Sequence, residues 1–423
     1  MVNSFDTGRT DKAVAPIRPE KIEEKYLQGV RFILKEYKYL YKEMLKPEII
    51  RKAYKNLRKG KTKRKEIQQI DANYDEEAAA MRVMIENTRP GEVPHPELAY
   101  KPRKRTPKII KEHGKRRKIY MPEIHEQWLH HIIILVLQPI IMRTAYSYTC
   151  GSFPGRGAHY AKRRLERWIR RGKGIRNFGK IDIRHFYDSI KHEILFKELR
   201  IRIKDEWFLY IIKVCLQGFK RGLPLGFYIS QWLANYLLEP LDRLIKEKLG
   251  IEVFVRYMDD ISMFADNKKK LHFAIIEIRK CLGRRFRLKL KDNYQVAKFD
   301  FIKKSGKRIG RALDFMGFLF FRSRTTIRKS IMLEDTRQAR KLKTAKEAGR
   351  AYFLKHVQGM VSYMGWFDCT DSYNCYLEHI KPFFLFRKLK EIISKLQRRQ
   401  NHDEKLAGRT LLREAGGVAA CCA

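Results

Sequence analysis

Two adjacent acidic residues, Asp259 and Asp260, stand between two apolar runs and constrain the fold more than any other feature of the chain. The runs, Val253 to Val255 and Ile261 to Phe264, are rich in residues that favour strands, and the short polar break between them predicts a β-hairpin. Successive strand residues point to opposite faces, so both acids cannot face a core. Because a carboxylate buried without a partner is costly, at least one acid is expected to hold a cation or a basic side chain.

A third acid, Asp182, ends another segment with a strand pattern. Residues Phe178 to Ile183 alternate in a way that predicts a strand, with Asp182 on the face opposite its isoleucine neighbours. Taken alone, Asp182 could pair with Lys180, and Asp259 with Asp260 could form an ordinary polar turn, since Asp is common in turns. Carboxylates from two separate elements are, however, what a pair of Mg²⁺ ions needs for phosphoryl transfer. The three acids therefore predict the palm of a nucleotide polymerase.

The charge of the chain points to a polyanionic partner. The 423 residues include 92 Lys and Arg against 47 Asp and Glu, a formal net charge of +45 that is spread along the whole sequence. A hydrophobic content of 44% and an aromatic content of 12% argue against a disordered basic protein. A folded protein this basic is expected to bind nucleic acid, with a membrane surface or the ribosome as the alternative polyanion.

Cysteine spacing and the polar N-terminus predict a cytoplasmic protein. The seven cysteines include no CxxC pair, so neither a disulfide framework nor a zinc site is indicated. Residues Met1 to Glu20 do not have the pattern of a signal peptide. The longest apolar run, Ile132 to Ile141, is too short to span a bilayer, so no membrane partner is expected.

From about Lys115 to about Tyr376 the chain resembles the reverse transcriptases, specifically the prokaryotic branch of group II intron, diversity-generating retroelement and defence-associated enzymes. The segment Tyr257-Met258-Asp259-Asp260 corresponds to the YxDD box of that family. The resemblance implies that Asp182, Asp259 and Asp260 are the catalytic metal ligands, with the backbone carbonyl of Ile183 as a further contact. Phe186 and Tyr187 would lie at the nucleotide, where Tyr187 would be the steric gate against a ribose 2′-hydroxyl.

The resemblance also implies further contacts around the incoming nucleotide and the primer. Leu225, Gly226 and Gln231 fall in the box that packs against the nucleotide and the template. The fingers motifs, where bases bind the triphosphate, contain Arg117, Lys118 and Arg156. The primer-grip turn is expected at Phe315, Met316 and Gly317.

Two departures from the family pattern bear on the mechanism. The fingers segment Gly151-Ser152-Phe153-Pro154-Gly155-Arg156 lacks one arginine that the family often has, so Arg156 must serve alone. The family lysine expected after the hairpin's following helix has no clean counterpart. Lys289 and Lys291 are close in sequence, but Asn293 or Tyr294 falls nearer the expected place, which leaves the proton donor to pyrophosphate unassigned.

The nucleotide box narrows the branch. The segment from Leu225 to Gln231 has the aliphatic-Gly-x-x-x-Ser-Gln form of the diversity-generating retroelement enzymes, which some defence-associated enzymes share. Many other branches have Gln where Leu225 stands. Because an aliphatic side chain cannot hydrogen-bond at the nucleotide edge, we hypothesise low copying fidelity.

The predicted fold is α+β: a right-hand polymerase with fingers, an antiparallel palm sheet that carries the YxDD hairpin, a helical thumb and a helical N-terminal extension. The expected divisions are the extension (1–98), fingers (99–179), palm with part of the fingers (180–325), thumb (326–400) and a flexible tail (401–423).

The function implied by the resemblance is RNA-directed DNA synthesis from a primer 3′ end with two Mg²⁺, for which Mn²⁺ could substitute. The expected context is a retroelement that diversifies sequence. The expected partners are an RNA template, a DNA or RNA-primed product strand and dNTPs, with a non-coding RNA and an accessory protein as further candidates. The alternatives are an antiviral defence enzyme that copies a dedicated non-coding RNA, and a catalytically silent RNA-binding scaffold of the same fold.

Overall fold

The computed structural model describes residues 35–103, 105–112, 115–172, 174–352, 354–383 and 387–399. Residues 1–34 of the predicted N-terminal extension and the predicted tail (401–423) lie outside the described residues. The N-terminal part of the described chain is helical, and its helices pack through buried side chains such as Met44 and Ile85. These helices are α1 (Leu40–Met44), α2 (Pro47–Arg58), α3 (Lys65–Ala72) and α4 (Tyr74–Asn87).

A basic hairpin and a long buried helix follow. Strands β1 (Lys108–Glu112) and β2 (Lys115–Ile119) pair antiparallel. Helix α5 (Ile124–Thr144) is apolar around most of its circumference. The indole N–H of its Trp128 donates to the carbonyl of Ile50 at 2.9 Å. The helix therefore joins the N-terminal helices to the rest of the core.

The palm is a five-stranded sheet in the order β3-β5-β6-β4-β7. All neighbours in it are antiparallel except the short edge strand β3, which runs parallel to β5. Its strands are β3 (Thr149–Cys150), β4 (Asn177–Asp182), β5 (Val253–Tyr257), β6 (Asp260–Ala265) and β7 (Gln295–Lys298).

Helices cover one face of the palm sheet, and a helix together with a small sheet covers the other. The first face buries Phe254 and Met263 in the large core. The second face buries Val255 and Phe264 against helix α6 (Ala158–Arg171) and the three-stranded sheet described below. The helices that complete this part are α7 (Phe186–Ser189), α8 (His192–Arg202), α9 (Glu206–Leu216), α10 (Tyr228–Leu237), α11 (Glu239–Arg243), a π-helical turn (Leu244–Lys248) and α12 (Lys268–Phe286).

Helix α12 ends at Phe286, which is buried in the core as the last apolar residue of the helical repeat. The strand that follows begins only at Gln295.

Small strands and the thumb helices complete the described chain. Strands β8 (Phe301–Ile302) and β9 (Arg308–Ile309) form a ribbon, and β10 (Leu313–Phe315), β11 (Phe318–Phe320) and β12 (Thr325–Ile327) form the three-stranded sheet. The thumb region holds α13 (Lys329–Glu347), α14 (Leu354–Asp368) and α15 (Tyr373–His379), and residues 387–399 are also helical. These helices share a core of their own, which includes Ile331, Met360 and Phe367. Among the described helices, none is both long and apolar enough to cross a membrane.

Candidate active site

The loop of the acid hairpin contains only Met258 and Asp259, because Tyr257 and Asp260 are paired across β5 and β6. Met258 has a φ of 57°, in the left-handed region, whereas Asp259 is not among the residues with positive φ. A positive φ at the first loop residue alone is typical of a type II′ turn, in which Gly is the usual first residue. A methionine in this position requires contacts that hold it there.

Those contacts come from the segment around β3 and from β5. The Met258 N–H donates to the carbonyl of Cys150 at 3.2 Å, and the Met258 carbonyl accepts from Arg256 Nη1 at 3.0 Å. The side chain lies over Gly151, where an added Cβ would be 3.0 Å from Met258 Cγ. Asn235 Nδ2 donates to the Met258 sulfur at 3.5 Å. Backbone and side chain are therefore both fixed.

A fully buried ion pair supports the turn from below. Arg256 and Asp242 are 0% and 1% exposed, and two guanidinium nitrogens of Arg256 each donate to one Asp242 oxygen at 2.7 Å. Asn235 Oδ1 accepts another Arg256 hydrogen bond at 2.9 Å, and Thr149 Oγ1 donates to Asp242 at 2.7 Å. A charged pair this deeply buried is tolerated only because its hydrogen-bonding capacity is filled.

The structure brings the three predicted acids together at the ends of two neighbouring strands of the sheet. Asp182 is directly opposite Asp260 in the register of β4 and β6, and the loop residue Asp259 directly precedes Asp260. Side chains that face each other in this way have Cβ atoms about 4.5–5.5 Å apart. One carboxylate oxygen each of Asp182 and Asp260 is buried without a hydrogen-bond partner.

Burial and neighbouring charges shift the pKa values of Asp259 and Asp260. Burial, the nearby Asp182 carboxylate and Asp260 raise the pKa of Asp259 to about 6. Burial also raises the pKa of Asp260, and this is opposed by the positive charge of Lys180. Like charges in a partly desolvated site favour the protonated forms, so the site is poised to take up a cation.

Lys291 is a site residue that sequence reasoning left unassigned. Its ammonium group forms an ion pair with the Asp182 carboxylate, and its backbone N–H donates to the Asp182 carbonyl at 2.9 Å. A bridge between Ile183 and Leu290 brings the two segments side by side. Spacing after α12 could not place this lysine, because the contact depends on that long-range pairing. Ile183 itself is fully buried.

The predicted steric-gate residue lies next to the acids. The negative charge of Asp259 acts on Tyr187, which together with burial raises the pKa of Tyr187. The carbonyl of Tyr187 accepts from the Leu223 N–H at 2.8 Å, and a Cβ on Gly222 would come within 3.0 Å of that carbonyl. Phe186, which is buried, packs edge-on against Tyr187 with ring centroids 5.4 Å apart.

The nucleotide box packs directly against the basic hairpin. The Tyr120 N–H donates to the Leu225 carbonyl at 2.8 Å, and a Cβ on Gly226 would collide with the Tyr120 carbonyl. With a φ of 104°, Gly226 meets both a steric and a conformational requirement for glycine. Leu225 is half-buried and Gln231 is exposed, so both can be reached by a ligand.

The three basic side chains predicted to bind the triphosphate differ in their surroundings. The charge of Arg117 reaches Tyr187, and Arg117 shares a strand face with Ile119, whose side chain contacts the Gly226 turn. Lys118 lies on the opposite face of β2. The guanidinium of Arg156 donates to the Tyr146 carbonyl at 2.9 Å, so one of its nitrogens is committed within the fold.

The predicted primer-grip turn is a second two-residue hairpin loop. Phe315 and Phe318 are paired, and the loop residues Met316 and Gly317 have φ values of 52° and 83°. Two positive φ values in succession are typical of a type I′ turn. A Cβ on Gly317 would lie 2.6 Å from Trp366 on α14, so glycine is required where this turn meets the thumb.

Lysine and arginine side chains connect this turn to the acids. Lys180 Nζ donates to the Asp314 carbonyl at 2.7 Å, and Arg328 Nε donates to the Asp314 carboxylate at 2.7 Å. The positive charges of both bases also act on Asp260. The primer-grip turn and the acid cluster are thus held in one network.

The resemblance to the reverse transcriptases implies a divalent metal ion, and the donors present fit one that needs few protein ligands. The unpartnered oxygens of Asp182 and Asp260 are the hard donors that Mg²⁺ prefers. Within the described part of the chain, no group of three His, Cys, Asp or Glu side chains could hold a metal ion by itself. An ion that takes one or two carboxylates and completes its shell with water and substrate phosphates does not need such a group.

Comparison with known proteins agrees with this geometry. Residues 104–309 match the family described as "Reverse transcriptase (RNA-dependent DNA polymerase)". The chain is 24% identical over 161 residues to Protein YkfC of Escherichia coli (strain K12), which covers 33% of this chain and 40% of that protein. It is 26% identical over 220 residues to the group II intron-encoded protein LtrA of Lactococcus lactis subsp. cremoris, which covers 49% of this chain and 35% of that protein.

The chain thus spans less than half the length of these two curated relatives. A solved structure of apo telomerase from Candida Tropicalis aligns with a TM-score of 0.42 and 12% identity, over 68% of this chain and 61% of that chain. The predicted family and the predicted α+β right-hand polymerase fold are confirmed, whereas the branch and the domain divisions stay predictions. Residues 104–309, just under half of the chain, are therefore similar to the reverse transcriptase domain family.

Proposed function

We propose that this protein is an RNA-directed DNA polymerase that adds dNTPs to a primer 3′ end, in a retroelement that diversifies sequence. The observation that carries the proposal is the direct pairing of Asp182 with Asp260 beside the Asp259 loop, within a region that matches the reverse transcriptase family. Cytoplasmic localisation stays a prediction.

In this proposal Asp182, Asp259, Asp260 and the Ile183 carbonyl would hold two Mg²⁺ ions, for which Mn²⁺ could substitute. When bound, such ions would supply positive charge at the primer 3′-hydroxyl and at the pyrophosphate leaving group. The ion pair with Lys291 neutralises Asp182 and would be replaced by a bound cation. The clamp on Met258 keeps Asp259 in place, so the loop need not reorganise during phosphoryl transfer.

The surrounding side chains select and orient the substrates. Tyr187, held by Leu223 and close to Asp259, crowds the ribose 2′-position and favours dNTPs. Arg117 faces the same region and binds the triphosphate, with Lys118 and Arg156 as further candidates. The turn at Met316 and Gly317 positions the primer terminus, while Phe186, Gly226 and Gln231 line the nucleotide and template side.

The direct test replaces both loop acids. The double variant Asp259→Ala/Asp260→Ala should abolish primer extension on an RNA template, because the cation then lacks two of its carboxylate ligands, while RNA binding survives. Asp266→Ala is the matched control, since Asp266 is an exposed acid that follows β6, and it should extend primers normally. Continued synthesis by the double variant would defeat the metal assignment.

The fidelity hypothesis concerns Leu225, which is half-buried beside the close contact of Gly226 with Tyr120. An aliphatic side chain offers packing but no hydrogen bond to discriminate bases. We expect fewer misincorporations by Leu225→Gln than by the wild type, measured by sequencing extension products from one RNA template. Equal error rates would contradict the hypothesis.

The biological role is tested by sequencing the nucleic acid that copurifies with the protein from cells. A repeat-region RNA whose copies carry errors at adenines would support diversification. A single structured companion RNA would favour antiviral defence, which the Ser230-Gln231 form also allows. Bound RNA without any extension activity would indicate a silent scaffold.

A further inference from the structure

Helix α6 carries a row of arginines on its exposed side. Arg163, Arg167, Arg170 and Arg171 are spaced so that they share one helical face, and all four are exposed. The opposite face buries Ala161, Leu165 and Ile169 in the core shared with Val255 and Phe318. We refer to the four exposed residues as the arginine row.

The charges of the arginine row are not neutralised within the described part of the chain. The only acid of the helix, Glu166, pairs with Lys162 at 2.7 Å. None of the four arginines forms an ion pair with another described residue. Like charges at this spacing destabilise a helix, so the row costs stability to the isolated fold. Binding of an anion would relieve that cost.

A second group of cations lies beside the row. The guanidinium of Arg164 is 5.7 Å from the ring centre of Tyr148 and 5.3 Å from that of Trp168, and it donates to Ser147 Oγ at 2.8 Å. Lys246 lies 5.6 Å from the centre of the same Tyr148 ring. These aromatic contacts hold two positive charges next to the row.

Further arginines, from a second element, lie next to the arginine row at the C-terminal end of α6. A crevice of about 230 Å³ there is lined by Arg170 together with Arg322 and Arg324 from the loop between β11 and β12. Two acids, Glu166 and Asp371, also line it; Glu166 pairs with Lys162, and the Asp371 carboxylate accepts from the Thr325 N–H at 2.8 Å. Arg322 is committed to the carbonyls of Asp300 and Ile175, whereas Arg324 lies 5.1 Å from the ring centre of Phe321. The crevice therefore adds a further surface guanidinium at Arg324.

The arginine row is separate from the acid cluster. The buried face of α6 packs on the second face of the palm sheet and against β11, so the row points away from both. The crevice lies at the β11–β12 loop, the opposite end of β11 from the primer-grip turn. A ligand on this surface would not enter the cleft in which Asp182 and Asp260 lie.

We propose that the arginine row, with Arg164 and Lys246 at its side and Arg324 at its end, binds the phosphate backbone of an RNA segment outside the cleft. Guanidinium groups match phosphate oxygens in a planar, bidentate way, which lysine cannot do. The described surface offers cations without a set of side chains arranged to read bases, so recognition is independent of sequence. The proposal depends on the charge and geometry of α6 and not on catalysis.

The test measures the salt dependence of binding to a labelled RNA stem-loop of 60 nucleotides. The variant Arg163→Gln/Arg167→Gln/Arg170→Gln/Arg171→Gln keeps good helix formers at exposed positions. Each lost phosphate contact reduces the slope of log K against log salt by about 0.7–0.9, so the slope should fall by roughly 3. Helix content, measured by circular dichroism, should stay unchanged.

Two controls make the test specific. Lys197→Gln/Lys213→Gln/Lys268→Gln/Lys269→Gln removes the same charge from exposed sites on α8, α9 and α12, and its slope should change by less than about 1. The variant Arg163→Lys/Arg167→Lys/Arg170→Lys/Arg171→Lys keeps the charge of the arginine row but not its bidentate geometry. This variant should bind more weakly than the wild type and more tightly than the glutamine variant.

The test does not depend on the proposed function, because RNA binding is also measured in the Asp259→Ala/Asp260→Ala background. In that background the glutamine substitutions in the arginine row should reduce the slope of log K against log salt by the same amount. In the otherwise wild-type protein they should leave extension of a short primer–template duplex unchanged. An unchanged slope, or an equal loss with the scattered-lysine control, would overturn the proposal. A loss confined to the short primer–template duplex would overturn it too, since that would place the row in the cleft.

Discussion

The two hairpin loops of the polymerase region have the same length and begin with the same residue, yet they are stabilised in different ways. Each loop contains two residues, and each opens with a methionine at positive φ, Met258 at 57° and Met316 at 52°. The acid loop continues with Asp259, and its methionine is held by buried contacts from Cys150 and Arg256. The primer-grip loop continues with Gly317.

The two loops are stabilised differently because they carry different residues at their second position. The acid loop carries a carboxylate at its second position, so strain at the first position must be offset by the packing below. The primer-grip loop lies against Trp366 and has space only for a hydrogen at Gly317. A strained backbone can thus be stabilised either by surrounding contacts or by a residue that tolerates the conformation.

The largest effect is expected from breaking the support of the acid loop. Arg256→Met leaves Asp242 buried and unpaired and should lower the free energy of unfolding by about 3–5 kcal/mol. Chemical denaturation monitored by circular dichroism measures this loss. Adding Asp242→Leu removes the orphaned charge and should restore much of the stability, but not the hydrogen bond to Met258. If the two substitutions instead lowered the free energy of unfolding additively, the unpaired Asp242 charge would not be the cause of the loss.

A smaller effect is expected from the primer-grip loop. Gly317→Ala combines left-handed strain with a Cβ 2.6 Å from Trp366 and should destabilise the protein by about 3 kcal/mol. Gly306→Ala is the matched control, because Gly306 has a similar φ of 75° with nothing within 4 Å of its Cβ position, and it should cost only about 1–2 kcal/mol. Equal losses, measured by thermal unfolding, would show that the Trp366 contact is unimportant.

The acid loop should also have a distinctive pH dependence. The pKa of Asp259 is raised to about 6, so ionising it costs the folded state, and metal-free stability should fall as pH rises from about 4 to 6. Cation binding needs the ionised form, so primer extension at subsaturating Mg²⁺ should instead fall about tenfold per pH unit below 6. Thermal unfolding and extension rates over this range measure the two opposed trends. Asp266→Asn should leave both unchanged, and parallel trends would contradict the assignment.

The smallest effect compares the two methionines directly. Met316→Gly relieves strain in a loop that needs no clamp and should change stability by no more than about 0.5 kcal/mol. Met258→Gly relieves similar strain but loses a buried side chain, so a net destabilisation of about 1 kcal/mol is expected. Both are measured by denaturant titration. Equal changes in the free energy of unfolding of the two variants would mean that the contacts around Met258 contribute no stability.

Much of the candidate site could be predicted because its signals are local. Alternation placed β4, two apolar runs placed β5 and β6, and the polar break between those runs placed Asp259 and Asp260 at a turn. In these segments the side-chain pattern and the local backbone preference agree.

Contacts between distant segments could not be predicted in this way. Lys291 reaches Asp182 although 109 positions separate them, and Arg156 donates to a backbone carbonyl where a free cation had been expected. The arginine in the apolar run of β5 was a signal for a buried partner, but nothing in the sequence identified Asp242 as that partner.

The sequence by itself determined which segments become strands and helices and which acids belong to the hairpin, since those properties depend on residues a few positions apart. Only the tertiary structure decided that Asp182 faces Asp260, that Lys291 neutralises it and that Met258 is held in a strained turn. These features depend on strand register and on packing between segments far apart in the chain, which periodicity does not encode.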